Sequence, residues 1–200
     1  MSTNYRRQRG ITLVELVITI VVLGIALAAI TLTLREGISR SSDTLLELRA
    51  VALAQAYLDE ALGKRFDERT ANNGVPPCRG PGVAPPGRVC TAEVSFGADG
   101  TEIRRRYDDV DDYHDIDEGA GVAPPNDTLK DAEGNVRTGY DGFRVSIDVR
   151  YVNVGGGGAE EFLGQNNELD DQYDAKVIEV TVSHTLLDSD FVFTAYKSNF

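Results

Sequence analysis

Residues 6–35 read RRQRGITLVELVITIVVLGIALAAITLTLR and set the topology of the whole chain. Three arginines precede a run of 19 uncharged residues, from Leu16 to Leu34, which Arg35 ends. At a rise of about 1.5 Å per residue, this run spans roughly 28 Å as a helix, close to the hydrocarbon thickness of a bilayer. Since arginines stay on the cytoplasmic side, we expect a transmembrane helix whose N-terminus is cytoplasmic. A buried core helix is the alternative, although such a helix rarely follows a basic leader.

Glu15 departs from this pattern because it is an acid at the edge of the apolar run, five residues after Gly10. A carboxylate within the hydrocarbon region is costly and calls for a partner or a function. Glu15 therefore either lies at the membrane surface without a specific role, or it meets a cation.

Residues 9–16, RGITLVEL, resemble the processing site of type IV pilins and of their relatives in type II secretion. The resemblance implies that a prepilin peptidase cuts after Gly10 and methylates the new amino terminus at Ile11. Ile11 stands where that family usually has Phe, so an apolar residue is retained. The resemblance also implies that Glu15 pairs with the terminal amine of a neighbouring subunit when the helices pack into a filament, and a buried carboxylate is tolerated when a cation meets it.

An ordinary secretory signal is a competing interpretation of the same segment. Residues 26–28 read Ala-Leu-Ala and precede Ala29, which gives the small-x-small pattern of a signal-peptidase site. An acid at the start of the apolar region is unusual for such a signal. The mature N-terminus separates the interpretations: Ile11, Ala29 or Met1.

Residues 36–64 predict a continuation of the helix with one apolar face. The face has helical spacing and consists of Leu46, Ala50, Leu53, Tyr57 and Ala61, widened by Ala54 and Leu58. Such a face needs a sheet to cover it.

Residues 71–90 are rich in Pro and Gly and predict a loop. Cys78 and Cys90 bracket this loop. Beyond a membrane crossing, two cysteines twelve residues apart most simply form a disulfide, and free buried cysteines are the alternative.

Alternating apolar and polar residues predict antiparallel strands at 143–151, 177–186 and 191–196, with a weaker candidate at 89–96. The fold class expected is therefore α+β, a pilin-like long N-terminal helix, transmembrane in its first half, packed on an antiparallel sheet of three or four strands. The expected domains are a cleaved leader at 1–10, a transmembrane segment at 11–35 and a periplasmic or extracellular head at 36–200.

Residues 107–118, YDDVDDYHDIDE, hold seven acids and offer oxygen ligands for Ca²⁺, although their spacing does not fit an EF-hand. The alternatives are a solvated loop, or a structural turn whose acids pair with the arginines at 104–106. The apolar and aromatic residues within it indicate that the segment packs on the domain. His184 continues the buried-face parity of its strand and is expected to pack at the strand end.

No catalytic triad or carboxylate dyad stands out, so we expect neither an enzyme nor a bound cofactor or metal. The 32 acidic and 20 basic side chains give a net charge of −12, which argues against nucleic acid as a partner. With two histidines and two cysteines, a zinc site built from these residues is nearly excluded.

Residues 54–60, 63–68 and 108–113 resemble the MshD family, minor pilin-like components of the mannose-sensitive haemagglutinin (MSHA) pilus. The resemblance implies a low-abundance subunit that primes, caps or decorates a pilus built from the inner membrane of a Gram-negative bacterium. Its implied partners are other pilins, the prepilin peptidase and the inner membrane, and the implied final location is the pilus or cell surface. A minor pseudopilin of a type II secretion system shares these features. A membrane-anchored adhesin or binding module outside any filament is a further alternative.

Overall fold

The computed structural model describes residues 12–81, 88–153, 161–162 and 175–199. The chain divides into two compact units, Met1–Leu45 and Leu46–Phe200. The boundary falls inside the first element, the helix α1 (Leu13–Leu62).

In the first unit, α1 carries an apolar segment, Leu13–Leu34, that is long enough to cross a membrane and has no buried residue. Three threonines in this segment, at positions 19, 31 and 33, donate their hydroxyls to backbone carbonyls three and four residues earlier. These bonds satisfy the hydroxyls inside the helix itself, so they add no unpaired polar group to the apolar surface.

The described part of the second unit contains an antiparallel sheet and three short 3₁₀ helices. The strands are β1 (Ile116–Gly119), β2 (Phe143–Asn153), β3 (Glu161–Phe162), β4 (Ala175–His184) and β5 (Phe191–Ser198). The 3₁₀ helices are Glu93–Ser95, Arg104–Arg106 and Asp111–Tyr113. The order across the sheet is β1-β2-β4-β5, with β3 also pairing with β2. Each pairing between these strands is antiparallel.

The core of this unit lies between the end of α1 and one face of the sheet. The helix contributes Ala50, Leu53, Ala54, Tyr57 and Ala61, all of them fully buried, and the sheet contributes Val145, Ile147, Val149, Ile178, Val180 and Val182. The predicted apolar face of the helix and the three main strands are therefore confirmed, and the fold is the expected α+β, pilin-like arrangement.

The candidate strand at 89–96 was wrong. Val89 forms only an isolated bridge with Arg79, and Glu93–Ser95 is a 3₁₀ helix. The reason is that the backbone here is held by other partners: Cys90 N–H donates to the Arg79 carbonyl, and Thr91 N–H donates to the Asp67 carboxylate at 2.9 Å.

The end of the acidic segment is a strand, β1, which the sequence did not predict. It pairs along β2 through Gly119, opposite Arg144. Gly119 has a φ of 109°, and a Cβ at this position would lie 2.3 Å from the carbonyl oxygen of Phe143. Glycine is therefore required at this position, because any side chain would collide with the neighbouring backbone.

Candidate processing and assembly site

The proposed cleavage residues, Gly10 and Ile11, lie outside the described residues, so the structure bears only on the chain from Thr12 onward. Thr12 immediately precedes α1, and its Oγ1 accepts a hydrogen bond from the backbone N–H of Glu15 at 3.3 Å. The Thr12 carbonyl accepts the first intrahelical bond, from Leu16 N–H at 3.1 Å. The sequence Thr-x-x-Glu at a helix start is that of a capping box, so the motif also has a local structural role.

Glu15 is exposed in the first turn of α1. An acid is favourable there because the helix N-terminus carries partial positive charge. Among the residues that the structure describes, none forms an ion pair with Glu15. The assembly role of Glu15 stays a prediction.

The disulfide between Cys78 and Cys90 is present, with an Sγ–Sγ distance of 1.97 Å and Cα atoms 5.0 Å apart. The two sulfurs are buried in a small cluster with Phe66 and Tyr151. Asp67 lies within 4.8 Å of both sulfurs, but cysteines that share a disulfide do not act as thiolate ligands, so this group is not a metal site.

A buried lysine lies next to this disulfide cluster. Lys176, on β4, is 0% exposed, and its Nζ donates to the Phe66 carbonyl at 2.7 Å, to Asp67 Oδ2 at 3.3 Å and to Asp111 Oδ1. Three rings surround it, with centroids 4.6–5.0 Å from Nζ: Phe66, Phe96 and Tyr151. Carboxylates and aromatic faces together make a buried ammonium tolerable.

The acidic segment is therefore partly a structural turn, but its main buried cation is Lys176 and not the preceding arginines. Asp109, Asp111 and Asp112 are all buried. Asp109 Oδ1 accepts the backbone N–H of Asp111 at 2.9 Å, and Asp112 Oδ2 accepts that of Asp108, also at 2.9 Å. The segment packs on the domain, as predicted.

Burial raises the pKa of all three of these carboxyl groups above the ordinary aspartate range. For Asp109, burial and then the charges of Asp111 and Asp112 raise the pKa to about 8. For Asp111, burial raises the pKa in spite of the opposing charge of Lys176. Burial is also the main cause for Asp112. Each group is thus easier to protonate in the folded protein than in the unfolded chain.

A second buried cation, Arg104, faces the helix and forms its ion pair with Glu60. Its Nε donates to Glu60 Oε1 at 2.8 Å, and both side chains are almost fully buried. Its guanidinium lies over the rings of Tyr57 and Tyr113, 5.1 and 4.7 Å from their centroids. Glu60 also accepts from the hydroxyl of Tyr113 at 3.0 Å.

Sequence reasoning missed both buried cations. Lys176 carries a readable signal, because it has the same parity along β4 as the buried Ile178, Val180 and Val182. Arg104 carries no such parity signal, and its partner Glu60 carries a weak one, since Glu60 lies next to the buried Ala61 in the helical segment. Neither signal identifies the partner, which comes from a distant part of the chain.

Each of the two histidines has a packing or hydrogen-bonding contact in the structure. His184 packs on Phe143 with ring centroids 4.4 Å apart, so its predicted packing role is confirmed. His114 Nδ1 accepts the backbone N–H of Val149 at 3.1 Å. Both contacts are structural.

The N-terminal segment matches a known family model. Residues 5–31 match the prokaryotic N-terminal methylation motif. Comparison with curated proteins gave no significant match, and neither did comparison with solved structures.

Together, the methylation motif, the apolar N-terminal helix and the α+β head support a protein of the type IV pilin or pseudopilin type. The motif implies processing by a prepilin peptidase and association with other pilin subunits. The motif and the apolar helix fit anchorage in the inner membrane.

Proposed function

We propose that this chain is a minor pilin of a type IV, MSHA-like pilus that primes, caps or decorates the filament, and that it is not an enzyme. The observation that carries the proposal is the methylation motif at residues 5–31, which leads directly into an exposed apolar helix. The resemblance of residues 54–60, 63–68 and 108–113 to the MshD family supports the finer assignment.

The mechanism begins with peptidase cleavage between Gly10 and Ile11. The cut frees an amine four residues before Glu15 and removes the arginines of the leader. The apolar helix then packs against helices of neighbouring subunits, where the carboxylate of Glu15 meets a neighbour's terminal amine. In hydrocarbon surroundings, pairing these two charges removes the cost that either would have alone.

The first test is the mature N-terminus of the protein purified from its host membrane, determined by intact mass and N-terminal sequencing. A methylated Ile11 is expected. A start at Ala29 would instead give a protein without Glu15 and without the apolar helix start, and an uncut Met1 would leave an anchored head. Either result would overturn the filament mechanism.

The second test concerns the charge of Glu15. Glu15→Gln keeps the size and the helix-start geometry but removes the charge, so we expect normal cleavage and at least a tenfold lower amount of subunit in sheared filaments. Glu15→Asp keeps the charge and serves as the matched control, for which we expect partial incorporation. Equal incorporation of the native and Gln forms would contradict the pairing role.

A minor pseudopilin of a type II secretion system is the second candidate, because the same motif and helix serve both assemblies. Deletion of the gene separates the two. Loss of surface filaments with normal secretion supports the pilus, and loss of secretion with normal filaments supports the pseudopilin. A binding module outside any filament would retain its surface function after Gly10 is replaced.

A further inference from the structure

Lys176 and Asp111 form a buried ion pair, and their surroundings would also suit a reaction between the amine and the carboxylate. Its amine is fully buried and touches the carboxylate of Asp111, while Asp67 Oδ2 lies 3.3 Å from the same nitrogen. Lys176, Asp111 and Asp67 belong to segments that are far apart in the sequence. The fold brings their side chains together beside the disulfide cluster.

We propose that Lys176 and Asp111 condense into an intramolecular isopeptide bond, with Asp67 as the catalytic carboxylate. The bond does not depend on the pilin function, since it concerns only the second compact unit.

The reaction starts from the ammonium of Lys176 and the carboxylate of Asp111. Asp67 Oδ2 takes one proton from Nζ, and the free amine attacks Cγ of Asp111, forming the C–N bond. The Cγ–Oδ2 bond of Asp111 then breaks. Its oxygen leaves as water with the proton held by Asp67 and the second proton lost from the nitrogen. One amide and one water replace the ion pair, Asp67 returns to its starting state, and no oxidant or reductant is needed.

The carboxylate of Asp111 is placed for the loss of one oxygen. Its Oδ1 contacts Lys176, whereas its Oδ2 is buried and has no hydrogen-bond partner among the described residues. Removing Oδ2 as water therefore breaks no hydrogen bond and removes a buried unsatisfied atom, which is a favourable change.

Asp67 is held rigidly enough to act as the proton carrier. Its two oxygens accept from the backbone N–H groups of Arg69 and Thr91 at 2.8 and 2.9 Å, and from the hydroxyl of Tyr151 at 3.0 Å. Lys176 Nζ is also within reach of this carboxylate, so proton transfer needs no rearrangement of the backbone.

The rings of Phe66, Phe96 and Tyr151 exclude water from the reacting atoms. Condensation is favoured in such a site, because water drives the reverse reaction and because the amide is neutral while the ion pair is charged.

The test is a protease digest of the full-length protein, purified in detergent, reduced, alkylated and examined by mass spectrometry. We expect one branched peptide that joins the segments around Lys176 and Asp111 and weighs one water less than their sum, with no trypsin cleavage after Lys176. Complete recovery of two separate, unmodified peptides would overturn the proposal and leave a buried ion pair.

Lys130 and Glu118 provide an internal control, since they form a lysine–carboxylate pair at 3.9 Å in which the carboxylate is buried and the lysine is 25% exposed. Their peptides should be recovered unlinked from the same digest. A link there as well would show that the chemistry arises from sample handling, and would also overturn the proposal.

Two variants test the roles. Lys176→Met should abolish the branched peptide, and a folded Asp67→Asn variant should yield at least tenfold less of it. If Asp67→Asn links as completely and as rapidly as the native chain after refolding, the catalytic role of Asp67 is wrong, while the digest of the native chain still decides the bond itself.

Discussion

At the scale of single residues, each of the two buried cations lies among three aromatic rings. Arg104 faces Tyr57, Tyr107 and Tyr113, with ring centroids 4.7–5.5 Å from its guanidinium carbon. Lys176 has an equivalent environment beside the disulfide. Because a buried cation without partners is expensive, such rings share with the carboxylates the task of replacing water. Removing the hydroxyl group from one of these tyrosine rings should therefore lower the free energy of unfolding, although only one oxygen atom is lost.

Tyr57 is the clearest case. Its fully buried hydroxyl donates to Glu118 Oε1 at 2.5 Å and accepts the backbone N–H of Lys130 at 3.3 Å. Tyr57→Phe removes this link and leaves Glu118 with one partner fewer, so we expect the free energy of unfolding to fall by about 1–3 kcal/mol. Urea denaturation of the detergent-solubilised protein, monitored by near-ultraviolet circular dichroism, measures the change.

Tyr140→Phe is the matched control for that substitution. Tyr140 packs on Phe143, and its hydroxyl makes no hydrogen bond with any residue that the structure describes. We expect a change within about 0.5 kcal/mol. Equal losses for the two variants would show that the hydroxyl of Tyr57 contributes nothing specific.

Asp109 should make the head less stable as the pH rises. Burial, together with the charges of Asp111 and Asp112, raises its pKa to about 8, whereas an unfolded aspartate titrates near about 3.9. The folded state thus binds more protons between these values, so the contribution of this carboxyl is fully present below the lower value and is lost as the pH passes about 8.

Asp109→Asn removes this titration and keeps an oxygen for the backbone N–H of Asp111. We expect the decline in unfolding free energy between pH 5 and pH 9 to become shallower, as measured by denaturation at each pH. Asp108→Asn, at a largely exposed neighbour, is the control and should keep the native slope. An unchanged slope in Asp109→Asn would contradict the assignment.

At the scale of elements, α1 has two segments that differ in how their apolar residues are distributed and buried. Apart from Glu15, the segment Leu13–Leu34 is uncharged and exposed, as expected of a helix that meets lipid or other helices. From Leu46 onward the helix is amphipathic, with Leu53 fully buried against the sheet and Leu48 63% exposed. A single continuous helix thus carries both an apolar segment long enough to cross a membrane and an amphipathic segment that packs on the sheet.

Leu53→Ala and Leu48→Ala test this division with the same chemical change. Leu53→Ala opens a cavity in the core and should lower the free energy of unfolding of the head by about 2–5 kcal/mol. Leu48→Ala should change it by less than about 0.5 kcal/mol. Urea titration of both variants measures the two losses, and similar losses at both positions would refute the buried-face assignment.

The sequence was sufficient for elements that carry a long periodic pattern. The amphipathic half of α1 and the strands β2, β4 and β5 were predicted because burial of one face repeats through many residues. β1 was not, because its four residues, Ile-Asp-Glu-Gly, carry no period and are defined by pairing with β2. The contact of Lys176 with Asp111 joins residues 65 apart, a relation that no local pattern contains. The methylation motif at residues 5–31 was recognisable because its pattern is purely local, and cleavage after Gly10 stays a prediction.

At the scale of the whole molecule, hydrogen bonds in the second compact unit connect segments that are distant in sequence. Lys197 Nζ, on β5, donates to the carbonyl of Leu62 at the end of α1, at 2.8 Å. The side chain of Asn199 donates to the carbonyl of Cys78 at 3.0 Å. The last strand is therefore tied both to the helix and to the disulfide, which are its neighbours in space and not in sequence.

The disulfide has a mechanical consequence when the second compact unit is pulled. It bridges 12 residues while holding their ends 5.0 Å apart, so it withholds roughly 35 Å of contour length from a chain pulled to full extension. Force spectroscopy should record a longer unfolding step by about that amount after treatment with a thiol reductant, and an unchanged step would contradict this. In an oxidising compartment the disulfide thus prevents this loop from extending under force. Reduction of the disulfide would release the contour length that it holds.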